Sequence, residues 1–131
     1  MPEDLFLSSN DPGSNHYLVV EGDNLAVWAY LLNVEDEKIL AHGLVCSRME
    51  PDEELKDPID RTKPPPLIKR FASSHSIIPD LKEEQMKIEW INQQAKLYID
   101  GILYLVMEVN TRRARCKAVS KPGRYGFPME D

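Results

Sequence analysis

Three groups of side chains in this sequence could do chemistry: His16, His42 and His75; the thiols Cys46 and Cys116; and two carboxylate runs, Glu35-Asp36-Glu37 and Glu50-Pro51-Asp52-Glu53-Glu54. The histidines are far apart, with no His-x-x-x-His or Cys-x-x-Cys spacing, so no local metal site is drafted. His42 shares an alternating run with Leu40, Leu44 and Cys46, which reads as a half-buried sheet residue rather than a ligand. Cys116 has cationic neighbours, Arg115 and Lys117, that would lower a thiol pKa if their charges came close. On an extended strand they point to the opposite face, so a small packed residue is the better reading. The six glycines are scattered, with no phosphate loop, dinucleotide fingerprint or Gly-x-Ser-x-Gly elbow. The residues therefore imply no catalytic group, no metal and no cofactor.

The carboxylate runs can be read in two ways. A hydrolase needs two carboxyls converging in a cleft, whereas these lie on polar stretches that read as solvated loops. The sharper alternative is an acidic surface, Glu35, Asp36, Glu37, Asp52, Glu53 and Glu54, that meets a basic protein partner and speeds its association. The basic counterpart is Arg112, Arg113, Arg115 and Lys117, followed by Lys121 and Arg124. Residues 1–60 hold 14 acids against 3 bases, a net of −11, and residues 61–131 hold 13 bases against 8 acids, a net of +5; together they give the chain's −6. The halves can attract each other within the fold or face a partner separately. An acidic chain argues against non-specific nucleic-acid binding, which relies on neutralising phosphates.

The elements that must position these groups read as strands. Residues 86–119 form four short alternating runs with tight polar breaks, a β-meander with a strong hairpin signal at Asp100-Gly101. Residues 16–48 give a first meander: HYLVVE, then LAVWAYLLN, apolar on both faces, then KILAHGLVCSR. Gly43 in the third run marks a bulge or a close approach. Residues 49–72 hold five of the ten prolines and read as a long crossover. A helical turn over Asp52–Lys56 and extended polyproline at Pro64-Pro65-Pro66 are expected there. PDLKEEQ suggests a helical turn starting at Pro79. Residues 1–15 read as an irregular N-terminus, and 120–131 as a coil tail across the surface. The expectation is a single mainly β domain: two antiparallel meanders packed as a small sandwich or half-barrel, with at most short helical turns. No run approaches the ~20 apolar residues needed to cross a membrane, and the acidic start is unlike a secretory signal, so a cytoplasmic protein is expected.

The ordered patterns VVEGDNLAVWAYLLN, KILAHGLVCSR, KIEWINQQAKLYIDGILYLVMEVNTRRARC and a closing Phe127-Pro128 resemble a small bacterial domain family of unknown function. Its members pair an acidic-turn hairpin with a tryptophan-initiated meander, a late Arg/Cys strand and a final Phe-Pro. The likeness covers roughly residues 17–48 and 86–128. The family carries a Pro-His pair on its penultimate strand, where this chain has Leu103-Tyr104-Leu105-Val106-Met107-Glu108, so no role for that histidine transfers. The family has no established activity to transfer, and the resemblance implies a bacterial, β-rich, non-catalytic protein.

Small size, acidic charge, the lack of an assembled catalytic motif and a long exposed loop make the leading expectation an immunity-type binding protein that occludes a partner, such as a toxin, through its acidic loops. Two alternatives stand beside it. One is an enzyme or small-ligand binder with a pocket between the meanders, using His42, Tyr104 and Cys116. The other is a homo-oligomeric structural domain paired through strand edges.

Overall fold

The computed structural model describes residues 4–51, 53 and 66–129. Strands β1 (Leu5–Asn10), β2 (His16–Gly22), β3 (Ala26–Asn33) and β4 (Ile39–Ser47) form one sheet in that order. Strands β5 (Met86–Ile91), β6 (Gln94–Ile99), β7 (Ile102–Glu108), β8 (Arg113–Cys116) and β9 (Phe127–Pro128) form the second. All neighbours are antiparallel except β8 and β9. The two sheets pack as a small β-sandwich rather than a closed barrel, as the two sequence meanders predict.

Period-two alternation explains the core. Leu18 and Val20 of β2 lie opposite Leu31 and Ala29 of β3, and all four are fully buried. Leu97, Leu105, Met107 and Cys116 supply the facing layer. At Gly43 the layers come close together: a Cβ there would meet Ala114 Cβ at 2.5 Å, Cys116 Sγ at 3.0 Å and Leu105 Cδ1 at 3.2 Å. The sequence flagged Gly43 as a bulge or a close approach. The structure has the close approach there, with register shifts on either side, at Val27/Trp28 and Leu31/Leu32.

Two chain segments close the β4 side of the sandwich. The Ser47 N–H donates to the Ser76 carbonyl (2.7 Å), and the Ile78 N–H to the Ser47 carbonyl (2.9 Å). Buried Ser76 donates from Oγ to the Ala118 carbonyl (2.6 Å), tying that segment to the second sheet. The C-terminal stretch does the same nearer the acidic end: the Leu44 N–H donates to the Tyr125 carbonyl (2.9 Å), and Phe127-Pro128 then pairs with β8.

Four expectations need correction. Residues 5–10 are not irregular but an edge strand, because Leu5, Leu7 and Ser9 alternate in phase with β2. The tail is not surface coil: Tyr125 is fully buried against Trp28 and Phe71, with ring centroids at 5.9 and 5.4 Å. Its hydroxyl donates to the Pro66 carbonyl (2.7 Å) and accepts from the Ile68 N–H (3.2 Å). The turn expected from Pro79 is instead a 3₁₀ turn at Glu83–Gln85, where the Gln85 side chain accepts from the Lys82 N–H (2.8 Å). Finally, the register shifts break the face assigned to His42: Cys46 pairs with inward Val27, while Leu44 and His42 pair with outward Trp28 and Tyr30. The helical turn expected over Asp52–Lys56 and the Pro64-Pro65 part of the polyproline run lie outside the described residues.

Candidate partner-binding surface

The acidic turn between β3 and β4 is ordered by its own side chains. Asn33 Oδ1 accepts from the Glu35 N–H (2.9 Å), and Asp36 Oδ1 from the Lys38 N–H (3.0 Å). The Glu37 N–H donates to the Asn33 carbonyl (2.8 Å), with Glu37 held at φ 56°. The Asp36 carboxylate is thus partly used as a turn staple, and Glu35, Asp36 and Glu37 are all exposed. Of the second acidic run, Asp52 and Glu54 lie outside the described residues. Glu53 is exposed and ion-paired to Lys69 at 3.4 Å. A pair this solvated contributes little to stability.

The basic cluster lies on the other layer. Arg113 and Arg115 project from the outer face of β8, aligned with Glu108 and Val106 of β7. Arg115 pairs with Glu108 at 2.7 Å, and the Arg113 guanidinium sits 4.9 Å from the Phe127 ring centroid. Arg112 occupies the β7–β8 turn at φ 56°, and Lys117 is half-buried just past β8. The sequence suggested that this cluster balances the acidic N-terminal half. Arg115 instead turns to Glu108 of its own sheet.

Charge is therefore divided by layer. Residues 4–47, which build the first sheet and its turns, hold seven acids and one base, a net of −6. Residues 86–128, which build the second, hold eight bases and three acids, a net of +5. Ser9 and Trp90 each lie one residue from the C-terminal end of their strands, and the Trp90 Nε1–H donates to Ser9 Oγ (3.1 Å), so those ends of β1 and β5 lie together. The acidic turn and the Arg112 turn consequently emerge at the same end of the sandwich, on opposite layers.

The pocket residues do not converge. His42 is exposed on the outer face of the first sheet, 5.8 Å from Trp28, and its Nε2 donates to the Arg124 carbonyl (3.1 Å). Cys116 lies between the sheets beneath Gly43, and burial pushes its thiol up to about 12. Burial pushes Cys46 to about 12 as well, with Arg48 opposing. Tyr104 sits at the β6–β7 register shift; burial raises its hydroxyl pKa first, followed by the charges of Cys46 and Asp100. Among the described residues no group of three or more His, Cys, Asp and Glu side chains could hold a metal ion, and no helix is long and apolar enough to cross a membrane.

Sequence reasoning missed the Trp28–Tyr125–Phe71 cluster. Its only signal was an aromatic in a glycine-rich tail, a pattern that ordinarily marks a loop. Comparison with known proteins adds no assignment: no family model, no curated protein and no solved structure matches this chain.

Proposed function

We propose that this is a non-catalytic binding protein of the immunity type, which occludes a partner protein, such as a bacterial toxin, through its acidic surface. The observation that carries the reading is the exposed turn Glu35-Asp36-Glu37, held by its own hydrogen bonds on a sheet of net charge −6. A pre-ordered charged turn loses little conformational entropy on docking and steers a basic partner. The thiols add support, because both are buried and held protonated at neutral pH, a poor state for nucleophilic attack.

Affinity capture from the source cell tests the reading, using wild-type protein and the Glu35→Lys/Glu37→Lys variant as baits. Wild type should retain a basic protein that is growth-inhibitory alone and neutralised by this chain, and the variant should lose it. Equal retention by both baits would refute the acidic surface. A captured protein whose activity is unaffected by binding would refute inhibition.

A further inference from the structure

The edges of the two sheets are guarded unequally. β4 is covered by its hydrogen bonds to the Ser76 and Tyr125 carbonyls and from the Ile78 N–H, and β8 by β9, which ends in Pro128. β5 carries Lys87 and Glu89, ion-paired at 3.3 Å, and charges on an edge oppose further strand pairing. Among the described residues β1 has none of these guards. Its sequence, LFLSSN, holds no charge and no proline, and its register with β2 is unbroken from Leu5 to Asn10. Among the described residues its backbone hydrogen-bonds only within its ladder with β2, and Phe6 is 57% exposed beside it.

We infer that the outward edge of β1 is a strand-addition site for an extended, cationic segment of a partner protein. An added strand pairs with the backbone groups of β1 that point away from β2 and have no partner among the described residues, and its alternate side chains meet Phe6 and Ser8 on the outer face. Charge selects the occupant. The sheet being extended carries a net −6, so lysine- or arginine-flanked segments are drawn to it. The same charge disfavours a second copy, because pairing two β1 edges would join two sheets of net −6. This inference rests on the protein-binding reading and adds to it the site and the form of the ligand.

The test uses two synthetic probes, the peptides KKTVTVTVKK and EETVTVTVEE, titrated into isotope-labelled full-length protein and followed by amide chemical shifts. The lysine peptide should shift the amides of Leu5–Asn10, and the glutamate peptide should not. Phe6→Lys, at an exposed position, should weaken the lysine peptide about fivefold or more while the rest of the spectrum keeps its dispersion. Shifts confined to residues 34–38 would overturn the edge site and leave the acidic-turn reading standing. Shifts in β1 that survive Glu35→Lys/Glu37→Lys would support the edge and count against the turn. Equal binding of both peptides, concentration-dependent shifts in β1 without peptide, or no shifts at all would overturn the inference.

Discussion

Gly43 of the first sheet lies directly against Cys116 of the second, so close that a Cβ on Gly43 would stand 3.0 Å from Cys116 Sγ. The nearer obstacle is Ala114, whose Cβ would be 2.5 Å away. These small residues set the spacing of the layers where β4 crosses β8. Gly43→Ala should therefore destabilise the fold by roughly 1–3 kcal/mol, the usual cost of overpacking a filled core. Ala114→Gly in the same chain should recover part of that loss. Urea midpoints of the two single variants and the double variant check this, and additive losses would disprove the contact.

Tyr125 ties the C-terminal stretch to both Trp28 and the 66–71 segment. Tyr125→Phe keeps the ring but strands the Ile68 N–H and the Pro66 carbonyl, at a cost of about 1–3 kcal/mol. Tyr125→Ala also leaves a cavity and should cost roughly 3–5 kcal/mol. If the tail were surface coil, both changes would be nearly silent in thermal melts.

Cys46 and Cys116 have folded pKa values of about 12 against an ordinary 9.0. The folded state therefore keeps protons that the unfolded state releases. Stability from this source is complete below pH 9 and is lost as pH rises from about 9 toward 12. Tyr30, raised to about 12 first by burial and then by Glu21 and Asp23, adds to the loss above its ordinary 10.0. Denaturation midpoints should fall across that window, and more gently in the Cys46→Ala/Cys116→Ala variant. In the native protein at pH 8, neither thiol should react with a disulfide reagent until the chain unfolds.

The β5–β6 turn holds Asn92 at φ 50° and Gln93 at φ 61°. The β6–β7 turn meets the same demand with Asp100-Gly101, at φ 50° and 81°. Gln93→Gly should therefore stabilise the fold, by up to about 1 kcal/mol, because glycine takes positive φ without a Cβ clash. A lower midpoint for Gln93→Gly would contradict this.

The two meanders were readable because alternation and turn chemistry are local properties: Asp100-Gly101 and the inward pair Leu97 and Ile99 announce themselves. What was hidden depends on distant partners. Nothing near Leu5-Phe6-Leu7 says that β2 is waiting for it, and nothing near Tyr125 says that Trp28 and Phe71 will enclose it. The face of His42 was misjudged because a register shift between strands leaves no local signature. The exposed acidic turn was legible from composition, whereas the bare edge of β1 emerged only from comparing all the sheet edges.

The most direct test of the acidic binding surface is the association rate of the captured partner with wild type and with Glu35→Lys/Glu37→Lys, at low ionic strength and at about 0.5 M salt. Electrostatic docking predicts a drop in association rate of about tenfold or more for the variant at low salt, narrowing sharply at high salt, with dissociation little changed. Equal association rates for the two proteins at low salt would contradict it.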